Sequence, residues 1–280
     1  MRKLLTISII FVFVSVGQAF DGSRYTLGDN WNLFPYESIF KPLMADPEWA
    51  RMGVGYRHYT SAPYVLENAL DFTLGGTIPV IRKDFGGVEA ELGLQGLGLL
   101  GFDLDDNTNM IYGDFFLGAP LFLKFSEEFM VMARYYHRSS HIGDEAVLNA
   151  AKADVGSERY GLERINLSYE VLDVVLSYQI TDQIRVYGGG GVVSDPQPHE
   201  YGMTVYQLGA EVEQPISNGV NLICAADFKG TAGVAPGISI KAGAKLFDRA
   251  ILSFDFFDGP GPAQFFDERV TSYGLNLNIQ

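Results

Sequence analysis

One short run in this 280-residue chain concentrates side chains able to make and break bonds. Arg134-Tyr135-Tyr136-His137-Arg138-Ser139-Ser140-His141-Ile142-Gly143-Asp144-Glu145 places an imidazole two positions before a hydroxyl. On a strand, side chains two apart share a face, so His137 can serve as general base to Ser139 as nucleophile. His141, Asp144 and Glu145 add metal-ligating types just beyond, with Asp144 and Glu145 as the candidate metal pair. The same side chains equally suit a structural role in strand and loop packing. Elsewhere the chemistry is thinner. Gly188 to Gly191 has the glycine content of a phosphate cradle, but no Lys-Ser/Thr follows and no helical pattern begins there, so it reads as a close-packed strand interior. His58 and His199 stand at expected loop edges without companions. The single cysteine, Cys224, cannot form an internal disulfide.

The elements that must position His137 and Ser139 are strands. Apolar residues recur at every second position in segment after segment, the period of a strand with one apolar and one polar face. Ile238, Ile240, Ala242, Ala244 and Leu246 oppose Ser239, Lys241, Gly243 and Lys245, and Tyr273, Leu275, Leu277 and Ile279 oppose Gly274, Asn276 and Asn278. Strands are expected to begin near Arg51, Glu67, Gly87, Asn109, Phe129, Leu162, Ile184, Val205, Val220, Ile238, Ala250 and Arg269. Short turns (Ser126 to Glu128, Thr181 to Gln183, Ser217 to Gly219, Asp248 to Ala250) alternate with longer links (Ile142 to Gly161, Ser194 to Thr204, Gly230 to Gly237, Gly259 to Glu268). An even strand number with alternating short and long connections is what a single antiparallel transmembrane β-barrel of about 12 strands requires. By parity, charges of both signs project inward, among them Arg134, Arg138, Arg164, Glu170, Arg185, Glu211 and Lys241. Paired charges of this kind fill a small barrel better than they line a wide pore, and a narrow polar channel stays open as a reading. In the fifth strand Phe129, Val131, Ala133 and Tyr135 are apolar, which puts His137 and Ser139 on the lipid-facing side. In the sixth, Asn166 falls inward with Arg164 and Ser168, and the apolar parity changes later, at Val174, Leu176 and Tyr178.

The chain begins with Arg2 and Lys3, an apolar run from Leu4 to Val14, and small residues at Gly17 and Ala19, the pattern of a cleaved secretory signal. Residues 1–19 are therefore assigned to the signal, 20–50 to a periplasmic segment before the barrel, and 51–280 to the barrel. The middle segment suggests an ordered strap or a short helix around Ile39 to Met44, with a plug in the lumen as the alternative. A formal charge of −14, with no cationic cluster, excludes a nucleic-acid partner. Export and barrel architecture together point to the outer membrane, and to its lipids, lipopolysaccharide and barrel-assembly machinery as surroundings.

Two resemblances add to this. His137-x-Ser139 at the outer rim of a barrel strand resembles the twelve-stranded outer-membrane phospholipase A family and the lipid A deacylases, which act on lipid from the barrel's outer wall. The resemblance implies Ser139 as nucleophile, His137 as base, an Asn on the next strand as orienter, matched by Asn166 in Arg164-Ile165-Asn166-Leu167-Ser168-Tyr169, and calcium with Asp144, five after Ser139, among its ligands. It also implies that a homodimer can be the active form. Ser140-His141 replaces the Asn-Gly usual in that family. More broadly, Leu33 to Pro47, Tyr136 to Glu145, Arg164 to Glu170, Arg185 to Gly191 and Pro196-Gln197-Pro198 resemble, in order, a bacterial domain-of-unknown-function family of exported outer-membrane proteins. That likeness implies location and architecture but no activity. Three functions therefore stay open: a structural or narrow-channel barrel, a lipid acyl hydrolase, and partner binding through the long loops.

Overall fold

The computed structural model describes residues 26–27, 31–61, 66–105, 107–144, 167–197, 202–262 and 269–279. After the short strands β1 (Thr26–Leu27) and β2 (Trp31–Leu33) come β3 (Met52–Ser61), β4 (Asn68–Asp84), β5 (Glu89–Asp103), β6 (Met110–Lys124), β7 (Phe129–Ile142) and β8 (Leu167–Thr181). They are followed by β9 (Ile184–Gln197), β10 (Thr204–Ser217), β11 (Val220–Thr231), β12 (Gly237–Leu246), β13 (Ala250–Pro260) and β14 (Arg269–Ile279). From β3 onward each strand pairs antiparallel with its sequence neighbours, and β14 pairs with β3, so twelve strands form a closed ring. Closure leaves no sheet edge within the ring. Outside it, β2 adds to the end of β4 at Ile81 to Lys83, and β1 pairs with β2.

Strands begin where the alternation places them, at Phe129, Ile184, Val220, Ala250 and Arg269; the one expected from Leu162 is described from Leu167. Short turns at 85–88, 125–128, 182–183, 218–219 and 247–249 gather at one end of the ring, and the longer connections at the other. The outer wall carries exposed apolar side chains, including Leu117, Leu172, Leu208 and Leu275. Hydrocarbon satisfies such a wall and water does not. The Gly188 to Gly191 run is indeed a packing feature: a Cβ on Gly189 would lie 2.0 Å from the Val174 carbonyl oxygen, and one on Gly191 2.3 Å from that of Leu172. Side chains there would force β8 and β9 apart.

The phase of β8 is the reverse of the one that Glu170 suggests. In β8, Leu167, Tyr169, Val171, Asp173 and Val175 are buried inward, whereas Leu172, Val174, Leu176 and Tyr178 are exposed on the wall. This single period of two, carried by an uninterrupted register with β7, puts Ser168 and Glu170 on the outer face, not the inner one. Arg164 and Asn166, to which the same inward reading was applied, lie outside the described residues.

Residues 34–50 run without regular secondary structure, and from Ser38 onward they lie inside the ring. The short helix expected around Ile39 to Met44 is absent: Pro42 has no N–H to donate, and the segment's carbonyls are taken up by barrel arginines. Arg185 donates to the carbonyls of Lys41 (3.0 Å) and Pro42, Arg82 to that of Glu37, and Arg51 to those of Met44 (2.8 Å) and Asp46. An irregular segment inside a barrel has no strand partner for its carbonyls, and these guanidinium groups replace one. In return Glu211 accepts the Met44 N–H, and Glu91 accepts from the Ser38 hydroxyl at 2.6 Å. Phe40 stacks between Trp49 and Phe122, with ring centroids 5.7 and 5.3 Å away. Together with Leu43 these rings pack on Met132, Val175 and Tyr187 of the inner face. Burial of Phe40 and Leu43 contributes roughly 1.5–3 kcal/mol each. The plug placement is thus the one observed.

Around the plug the luminal charges pair as expected: Arg134 with Asp173 (2.7 Å), Arg57 with Asp71 (2.6 Å), Arg138 with Asp114 (2.7 Å) and Arg185 with Glu211 (2.8 Å). Between the plug and the long-connection end lies a cavity of about 210 Å³, walled by Glu48 of the plug, by the ring cations Arg57, Arg138, Lys229 and Lys241 and the ring acids Asp71, Asp114, Asp227 and Asp255, and by the rings of Tyr59, Tyr112 and Phe257.

Candidate active site on the outer wall

β7 is held between β6 and β8 in continuous register, so its odd positions all face outward: Tyr135 and His141 are exposed, and His137 and Ser139 are half-buried beside them. His137 stands opposite Glu170, and Ser139 opposite Ser168. The His137 Nδ1 lies 3.1 Å from Glu170 Oε1. With side chains 45% and 28% exposed, this pair sits in the wall and not in the lumen. Nδ1 facing a carboxylate carries the ring's hydrogen when the imidazole is neutral, which leaves the Nε2 lone pair for a proton donor on the same face. Ser139 is that neighbour on the strand, although no hydrogen bond from its Oγ to His137 is formed in this structure. Catalytic contacts commonly tighten only once substrate is bound.

The surroundings are apolar. Leu117 pairs with His137 from β6 and Phe115 with Ser139, while Tyr135 and Leu172 are exposed alongside. Phe115 also meets the His141 ring, 6.1 Å between centroids. An acyl chain lying along the wall finds hydrocarbon-like contacts on both sides of the His–Glu pair.

The sequence-derived residues divide as follows. His137 and Ser139 share the outward face as expected. Glu170, read from sequence as luminal, is the residue that engages His137; the apolar residues at even positions from Leu172 to Tyr178 were the signal that could have found it. Asn166 and Glu145 lie outside the described residues. Asp144 is exposed, directly beyond the end of β7. Among the described residues no group of three His, Cys, Asp or Glu side chains is placed to hold a metal ion.

A family model described as "Protein of unknown function (DUF1207)" matches residues 24–280. No curated protein matches the chain in sequence. Among solved structures, outer membrane phospholipase A from Escherichia coli superposes with a TM-score of 0.61 at 12% identity, covering 86% of this chain and 99% of that one. The Salmonella typhi outer membrane phospholipase, a dimer with bound calcium, gives 0.59 at 13% identity over 87% and 94%. The KdgM porin gives 0.44 at 10% identity over 81% and 98%. At such identities the phospholipase likeness is one of fold alone.

Proposed function

The chain belongs to the DUF1207 family, and for this member we propose an outer-membrane acyl ester hydrolase that takes its lipid substrate at the barrel's outer wall. The observation that carries the reading is the Nδ1 to Oε1 approach of His137 and Glu170 on the lipid-facing side, two residues from Ser139. A structural ion pair gains little at so exposed a place, whereas a carboxylate behind an imidazole beside a serine is the arrangement that base-activated nucleophiles use.

In this reading Glu170 holds the Nδ1–H and the ring orientation. His137 Nε2 takes the Ser139 proton as Oγ attacks the ester carbonyl carbon. The tetrahedral adduct collapses with loss of the alcohol, which leaves with the proton from His137, and an acyl-serine remains. Water, deprotonated by the same Nε2, then releases the fatty acid and restores Ser139. Leu117, Tyr135 and Leu172 align the acyl chain. The plugged lumen fits this reading better than it fits an open channel, because the ring's interior is filled where a solute would pass. The signal-like first 19 residues and the apolar wall support export to the outer membrane, with the long connections facing out of the cell.

The test is fatty-acid release from phospholipid in mixed micelles by the full chain purified in detergent. Wild type is expected to release fatty acid and Ser139→Ala to lose that activity. Equal inertness of the two proteins overturns the proposal.

A further inference from the structure

The lumen contains a second place of chemical interest, independent of the outer wall. Most of its cations meet a carboxylate from the ring itself: Arg57 meets Asp71, Arg134 meets Asp173, Arg185 meets Glu211, and Lys245 meets Glu213. Lys229 does not. Among the described residues both of its carboxylate partners come from the plug, Asp46 at 3.3 Å and Glu48 at 2.6 Å. The other oxygen of Glu48 takes a hydrogen bond from Arg138 Nη1 at 2.9 Å, and the same Nη1 is 2.8 Å from the Tyr169 hydroxyl. One carboxylate is therefore clasped between a guanidinium and an ammonium that the ring presents from β7 and β11.

This clasp is not sealed. Glu48, Arg138 and Lys229 all line the cavity of about 210 Å³, and Glu48 keeps 21% of its side chain exposed there. Val234 and Pro262, from the long connections, bound the cavity at the far end, and Tyr59, Tyr112 and Phe257 give it aromatic walls. A charged guanidinium with an ammonium recognises a carboxylate strongly because both of its oxygens are engaged by charge-assisted bonds.

From these contacts we infer that Arg138 and Lys229 form a receptor for a small organic carboxylate, with Glu48 of the plug occupying it in the resting protein. A ligand arriving from the long-connection end competes with Glu48 for the same two cations, and its ring or carbon skeleton rests on the aromatic walls. Because Glu48 is tethered, its effective concentration at the seat is on the order of millimolar or higher, so an external carboxylate binds weakly until that side chain is gone or displaced. Removing Glu48 need not release the plug, which remains held by Arg185, Glu211 and the buried rings of Phe40 and Trp49.

The experiment is calorimetric titration of benzoate into the full chain in detergent, comparing wild type, Glu48→Ala, Glu48→Gln and the double variant Glu48→Ala/Lys229→Gln. Glu48→Gln keeps the size of the side chain and guards against misfolding of the alanine variant. Both single variants are expected to bind benzoate at least about tenfold more tightly than wild type, the factor that corresponds to 1.4 kcal/mol. The double variant is expected to lose that gain, and benzamide, which has the shape without the charge, is expected to gain nothing. Equal benzoate affinity in wild type and both single variants, or equal gains for benzoate and benzamide, overturns the inference. The readout involves no ester hydrolysis, so its failure leaves the outer-wall reading standing, and the reverse holds too.

Discussion

Replacing Glu170 by leucine separates what this side chain does for stability from the role that the proposed hydrolase gives it. Glu170 and His137 face each other at 3.1 Å, with 28% and 45% of their side chains exposed. A pair this accessible contributes about 0–1 kcal/mol to folding, and leucine on the apolar wall restores buried area. The unfolding midpoint should therefore move little. The effect on turnover is of another size. Without the carboxylate the imidazole is free to rotate and to change tautomer, and general-base assistance worth about 10²–10⁴ in rate is lost. At 1.36 kcal/mol per decade that is about 2.7–5.4 kcal/mol in the barrier. Glu170→Gln still offers an amide oxygen to Nδ1–H, so it should recover activity to within about tenfold of wild type, which alanine or leucine cannot do. In the proposed hydrolase Glu170 acts through His137 as a positioning residue, so the loss should fall on kcat and leave KM nearly unchanged. The assay is initial-rate fatty-acid release across lipid concentration, with denaturant unfolding of each variant alongside. The reasoning is refuted if Glu170→Leu keeps kcat within about twofold of wild type while Ser139→Ala is inactive.

Further consequences concern the lumen. Trp49→Ala removes a ring that is 2% exposed and stacked on Phe40, so denaturant unfolding should show a loss of about 3–5 kcal/mol, and a loss under 1 kcal/mol would contradict the packing described. In planar bilayers the wild-type chain should give no discrete conductance steps, and a variant lacking residues 36–49 should give them; steps of equal size from both would mean that the plug does not occlude the ring. Burial pushes the Glu48 carboxyl up, but Lys229 and Arg138 outweigh it and hold the group below its ordinary value of 4.5, while Asp46 opposes them. A lowered carboxylate contributes stability that is complete above pH 4.5 and is lost as pH falls through the lower folded value. In a Trp31→Phe background, Trp49 emission should accordingly hold constant from neutrality to about that pH and shift to the red only below it.

What the sequence made legible was everything with a period. Alternation located the strand starts, put His137 and Ser139 on the wall, and predicted the pairing of luminal charges, because a closed antiparallel sheet enforces a strict period of two on every residue in it. The plug has no period, and its placement depends on distant arginines meeting carbonyl oxygens, which are the same atom in every residue and leave no mark in the side-chain sequence. Glu170 was misplaced for a different reason. A carboxylate in a barrel strand is expected inside, but near the rim a lipid-side acid opposite a histidine is tolerable. The apolar stretch from Leu172 to Tyr178 carried the correct phase, whereas the charges at Arg164 and Glu170 suggested the opposite one.

The plug also bears on how the barrel comes together. Arg185 and the Lys41 carbonyl that it holds are 144 positions apart, and the seam between β3 and β14 joins the two ends of the ring. Contacts of such separation form late because long loops must close first. Residues 34–50 precede every ring strand, yet their partners are distributed from β4 to β13. A ring that closed before the segment had entered would leave Lys229 without the carboxylates of Asp46 and Glu48, and the inner-face side chains Phe122, Met132 and Val175 without the rings they pack on. Enclosure of the segment and formation of the seam are for this reason expected to be coupled, with the segment acting as the mandrel around which the last strand finds the first.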